Sequence, residues 1–121
     1  MKRPSHKEIT KKISQAKEAL KKHKLYFINQ SSLASDALEL GFLFDTEIND
    51  VLTNLLNKAS PENYAGVKPP QKSYEQKISG AELFAFRVQS DILNDIIYFK
   101  FTLAKGCLYI ISLHKHRATT N

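Results

Sequence analysis

The sequence predicts an α+β domain in which N-terminal helices pack on one face of a small antiparallel β-sheet. Two patterns carry that prediction: apolar residues recur at helical spacing through the first half of the 121 residues, and they alternate with a period of two from Leu83 onward. Helices first and strands afterwards is the order of an α+β chain, not of alternating βαβ units. One face of the resulting sheet is left open to solvent or ligand.

The elements follow in order. Pro4-Ser5-His6-Lys7-Glu8 reads as a helix start, with Ser5 at the N-cap and Glu8 at the reciprocal capping-box position. Ile9, Ile13, Ala16 and Leu20 then form a narrow apolar stripe flanked by lysines at 11, 12, 17, 21 and 22, so this helix should dock on the core and show a basic outer surface. Leu25-Tyr26-Phe27-Ile28 is β-prone and fits a short edge strand. Ser31 or Ser32 opens a second helix that runs to Leu40, where Gly41 supplies a left-handed stop. A third helix starts near Asp45 as N-cap and carries Ile48, Val51, Leu52, Leu55 and Leu56 on one face. Ser60-Pro61-Glu62 starts a short turn, and Val67 to Lys77, with Pro69-Pro70 and several lysines, reads as exposed loop.

Strand character then takes over. Phe84, Phe86 and Val88 alternate with Ala85, Arg87 and Gln89, and Ile97, Phe99, Phe101 and Leu103 alternate with Tyr98, Lys100 and Thr102. A three-residue Ala104-Lys105-Gly106 loop would join this last strand to Cys107–His114, pairing Leu103 with Cys107, Phe101 with Tyr109, Phe99 with Ile111 and Ile97 with Leu113 on the core face. Tyr98, Lys100, Ser112 and His114 would share the other face.

Size and charge narrow the function. A chain of this length buries enough surface to fold as one domain without a staple. Its single cysteine, Cys107, excludes an intramolecular disulfide and reads as a small buried hydrophobe, in keeping with a reducing, cytoplasmic setting. No apolar run reaches membrane-spanning length and no signal-peptide core follows the basic N-terminus, so no membrane partner is expected. The net charge of +6 is uneven: residues 1–24 hold nine Lys or Arg against Glu8 and Glu18, and the rest of the chain holds nine against ten acidic residues. That concentration of positive charge suits a polyanion such as nucleic acid, or simply a solvated helix face.

The open sheet face collects Arg87, Tyr98, Lys100, Ser112 and His114 from three strands, and the loop lysines Lys68 and Lys72 lie near it in sequence. Proton carriers beside cations are what phosphodiester cleavage without a metal requires. Carboxylates are absent from this face, which argues against a two-metal nuclease or a glycosidase, and the chain has no Gly-rich phosphate loop. His114 and His116 are two residues apart with no Cys or acidic partner nearby, a poor pattern for zinc. No cofactor or metal is therefore expected. Taken singly, Arg87 and Lys100 are ordinary strand charges, Tyr98 is a cross-strand aromatic, and Lys115, His116 and Arg117 are a basic tail.

Leu83-Phe84-Ala85-Phe86-Arg87-Val88, Ile97-Tyr98-Phe99-Lys100-Phe101-Thr102 and Leu108-Tyr109-Ile110-Ile111-Ser112-Leu113-His114-Lys115 resemble the closing strands of RelE-like bacterial toxins. With Ala37-Leu38-Glu39-Leu40-Gly41-Phe42-Leu43-Phe44-Asp45 and Glu62-Asn63-Tyr64, the series resembles the MqsR branch, the motility quorum-sensing regulator toxins, from about Ser5 to Lys115. The resemblance implies a type II toxin–antitoxin system: an endoribonuclease that cuts messenger RNA and is held inactive by a cognate antitoxin protein. By position, Tyr98 matches a family active-site tyrosine, and His114 falls where the family has a catalytic lysine. The family lysine after the tyrosine of the helical turn is here Ala65, and the family glutamine on the first long strand has no equivalent near Ala85. The expected catalytic set is Arg87, Tyr98, Lys100 and His114, and the expected RNA contacts are Lys68, Lys72, Lys115, His116 and Arg117. A non-catalytic RNA-binding or regulatory module on the same fold is the competing expectation.

Overall fold

The structure is a computed structural model that describes residues 5–66, 70–73 and 75–115. Three helices, α1 (His6–Lys21), α2 (Gln30–Leu40) and α3 (Phe44–Lys58), pack on a four-stranded sheet formed by β1 (Leu25–Phe27), β2 (Phe84–Ser90), β3 (Asp95–Ala104) and β4 (Cys107–Lys115). The strand order is β1-β4-β3-β2. The chain is thus α+β, as the patterning predicts. The sheet is mixed and not wholly antiparallel, because β1 runs parallel to β4 with Tyr26 beside Tyr109.

Local chemistry explains the helix boundaries. The Ser5 hydroxyl accepts from the Glu8 amide at 3.1 Å, capping α1 at the expected residue. α2 is capped two to three residues earlier than expected, because the Asn29 side chain accepts from the Ser32 amide at 3.2 Å. Gly41 ends α2 with φ +88°, a left-handed conformation open to glycine at little cost. α3 begins at Phe44, not after an Asp45 cap; the Glu47 carboxylate reaches back to accept from the Leu43 amide at 2.6 Å, leaving Asp45 in the first turn. Phe44 is thereby freed to bury against Phe27, with ring centroids 4.8 Å apart.

All three helices share one core with the inner sheet face. Ile9, Ile13, Ala16 and Leu20 from α1 and Val51, Leu52, Leu55 and Leu56 from α3 meet Phe84, Phe86, Phe99 and Phe101. The Phe86 ring stacks on Phe99 and Phe101 at centroid distances of 5.6 and 5.7 Å, a geometry that adds to area burial.

The β3–β4 hairpin departs from its expected register. The loop has two residues, Lys105 (φ +54°) and Gly106 (φ +75°), the positive φ pair of a type I′ turn. Leu103 therefore faces Leu108 and Phe101 faces Ile110, instead of Cys107 and Tyr109. Leu108 and Ile110 are buried, while Cys107, Tyr109 and Ile111 are only partly covered. A bulge beside Lys100/Phe101 then leaves Ile111 without a partner and resets the ladder, so that Lys100 faces Ser112, Phe99 faces Leu113, Tyr98 faces His114 and Ile97 faces Lys115. The extra residue restores the alternation that a two-residue loop would otherwise break.

The segment after α3 is also more structured than a plain loop. Tyr64 bridges Phe86 and the Ala65 amide donates to the Ala85 carbonyl at 2.8 Å, adding a short strand-like contact along β2. Lys72 bridges Glu82, and Ile78 and Ser73 are buried. Among the described residues, no helix is long and apolar enough to cross a membrane.

Candidate functional site

Three strands bring the expected quartet together on the face turned away from the helices. Arg87 on β2 is opposite Tyr98 on β3, and Tyr98 is opposite His114 on β4. The Tyr98 and His114 rings stack at 5.0 Å between centroids with an interplanar angle of 22°. The Arg87 guanidinium carbon lies 5.8 Å from the Tyr98 ring centroid, within cation–π range. Lys100, two residues on from Tyr98, faces Ala85 on one side and Ser112 on the other.

The register across β4 matters most here. Because the bulge precedes Ser112, the imidazole lands beside the phenol instead of one residue away. The Nδ1 atom of His114 is 2.9 Å from the Lys115 carbonyl oxygen. A carbonyl can only accept, so Nδ1 carries the hydrogen, and in the neutral ring Nε2 presents its lone pair outward. The phenol of Tyr98 is raised above the ordinary tyrosine value of 10.0 by burial, an effect the neighbouring Arg87 charge partly offsets. Tyr98 is thus held as a protonated donor at neutral pH.

A small cleft of about 80 Å³ opens beside Tyr98 and Lys100, walled by Ala65, Gly66, Gln71, Leu83 and Ala85. Gly66 passes close to Tyr64: a Cβ there would stand 2.6 Å from the Tyr64 hydroxyl oxygen, so the phenol would have to shift to admit it. Tyr64, edge-on to Phe86 at 5.8 Å, is raised above 10.0 by burial first and then by the carboxylates of Glu82 and Glu8. The cleft is far smaller than the roughly 300–1,000 Å³ of small-molecule sites. The quartet is consequently a platform with a notch beside it, suited to a polymer lying across the sheet.

The other expected residues do not join it. Lys115 points to the opposite side and forms an ion pair with Asp95 at 3.3 Å. Lys72 is held in its bridge to Glu82 and does not line the cleft, although its neighbour Gln71 does. Lys68, His116 and Arg117 lie outside the described residues. Gln71 is the cleft residue that the sequence reading missed; its only signal was a polar side chain next to prolines. The position occupied by lysine in the resembled family, Ala65, forms part of the cleft wall, which leaves Lys100 as the cation lining it among the described residues.

No carboxylate belongs to the described open-face positions of the strands, and among the described residues no group of three or more His, Cys, Asp or Glu is placed to hold a metal ion. In comparisons with known proteins, no family model matches the chain and no curated protein matches it.

Proposed function

We propose that the protein is a metal-independent endoribonuclease, a messenger-RNA-cleaving toxin of a type II toxin–antitoxin system acting in the cytoplasm. The observation that carries this reading is the stacked Tyr98–His114 pair, flanked by Arg87 and Lys100 on an open face without carboxylates. In the proposed reaction His114 Nε2 accepts the proton of a ribose 2′-hydroxyl, whose oxygen attacks the adjacent phosphorus. The bond from phosphorus to the 5′ oxygen breaks, and the leaving oxygen takes the phenolic proton of Tyr98. Arg87 and Lys100 balance the charge that builds on the phosphorane oxygens, and Arg87 also steadies the phenolate left behind. The products are a 2′,3′-cyclic phosphate and a 5′-hydroxyl end.

Purified protein incubated with RNA in excess chelator provides the test. Cleavage with cyclic phosphate ends is expected, and His114→Ala should lower the rate by about 10²–10⁴-fold. Absence of cleavage, or undiminished cleavage in a Tyr98→Phe plus His114→Ala variant, overturns the proposal. The antitoxin expected for such a toxin is an acidic segment that covers the open face. Expression of the chain alone should then arrest growth, and co-expression with that partner should relieve it.

Ala65 favours a second reading, in which the same face binds RNA without cutting it, because the cleft wall lacks the cation that the resembled family has there. RNA retained at low salt with no product would support that reading over the first.

A further inference from the structure

A second feature, unrelated to the quartet, lies at the other end of the β3–β4 hairpin. A cleft of about 380 Å³ opens between α1 and the Lys105-Gly106 turn, and Lys12, Lys22, Lys24 and Lys105 line it, with Glu18 as the one carboxylate among the described residues of its wall. Among the described residues, none of these lysines forms an ion pair. Lys12 is held over the Phe84 ring at 5.7 Å. Like charges gathered around a shared cleft repel one another, so the arrangement works against folding until an anion enters.

The backbone makes the same point independently. His23 (φ +61°) and Lys105 (φ +54°) are left-handed although neither is glycine. His23 reverses the chain at the end of α1, with the Lys24 amide donating to the Ala19 carbonyl at 2.9 Å. The Leu108 amide then donates to the Lys24 carbonyl at 2.8 Å and ties that lysine to β4. Asparagine or glycine would relieve the strain at position 105, yet lysine stands there, at the rim of the cleft.

We infer that this cleft binds the phosphodiester backbone of single-stranded RNA, as a contact site separate from the quartet. The inference rests on the RNA reading above for the identity of its ligand. Among the described residues no aromatic ring lines the cleft, so they offer nothing on which to stack a base and should grip phosphates without regard to sequence. Lysine ammonium groups act there as point charges for phosphate. Lys105 follows Tyr98 by seven residues along the hairpin, which separates the two sites by about 20 Å. A strand must therefore be several nucleotides long to touch both.

Anisotropy of a fluorescent, uncleavable 2′-O-methyl oligonucleotide with the full chain tests this. A Lys22→Gln plus Lys105→Asn variant should bind tenfold or more weakly at low salt. Its plot of log affinity against log salt should be shallower by about 1.4, the loss of two phosphate contacts on a single strand. Its melting temperature should equal or exceed that of the parent, which separates lost binding from lost folding. Unchanged affinity and slope in the variant, with the parent binding well, overturns this inference alone. Failure of the parent to bind overturns the RNA reading with it. Displacement of the oligonucleotide by micromolar pyrophosphate also overturns it, by marking a small-anion site.

Discussion

At the residue scale, two tyrosines carry the clearest electrostatic signature. Tyr64 and Tyr98 are both raised above 10.0, chiefly by burial. A phenol whose folded value exceeds its unfolded one binds its proton more tightly in the native state. The stability it contributes is fully present below pH 10 and is lost as pH rises through the folded value. Chemical denaturation between pH 9 and 11 should therefore show stability falling above pH 10, and the fall should be smaller in Tyr64→Phe and Tyr98→Phe. Sequence patterning placed Tyr98, His114, Arg87 and Lys100 on one face because alternation alone decides facing. It could not show that Nδ1 of His114 is engaged by a backbone carbonyl, since that depends on a local χ angle. Nor could it find Gln71, whose position depends on a loop bridge between Lys72 and Glu82.

At the element scale, the β3–β4 hairpin decides whether a site exists. The expected three-residue loop gave the right face for the phenol and imidazole but the wrong partners: it set Phe99 opposite Ile111, whereas the shorter turn and the bulge together slide the far end of β4 by two residues, which preserves facing and brings His114 opposite Tyr98. Lysine in a left-handed turn position carries little sequence signal, and neither does an unpaired isoleucine that follows another isoleucine in a strand. Helix starts at Ser5 and stops at Gly41 were legible because capping is local, whereas the start of α3 was displaced by the burial of Phe44. The bulge leads to a specific expectation. Deleting Ile111 keeps Ile110 and Leu113 inward and Ser112 and His114 outward, so the chain should still fold, with contacts between the Tyr98 and His114 rings still visible by NMR. Loss of the bulge's added twist should re-aim Lys100 and reduce any RNA cleavage. By contrast, Gly106→Val should cost about 1–2 kcal/mol in denaturant melts, because it forces a β-branched side chain into a left-handed turn.

Across the whole molecule, rigidity comes from the shared core, and the proposed chemistry lies on the face opposite it. Phe86 is fully buried and stacks on two phenylalanines while its strand neighbours Ala85 and Arg87 border the cleft and the quartet. Phe86→Ala should cost about 3–5 kcal/mol in stability and loosen the quartet indirectly. The proposed binding and the proposed chemistry are also separated in space, with lysines at the turn end and Tyr98 and His114 at the open end of the same hairpin. The charge concentrated in residues 1–24 was legible in the sequence, but not the cleft that gathers Lys12, Lys22 and Lys24 around Lys105. The most direct measurement is the single-turnover rate of RNA cleavage in excess chelator for the parent, Tyr98→Phe, His114→Ala and the double variant. If the stacked pair moves protons as a unit, each single change slows cleavage by at least about 10²-fold and the double change adds little further. A parent that leaves RNA intact, or variants that cut as fast as the parent, would contradict it.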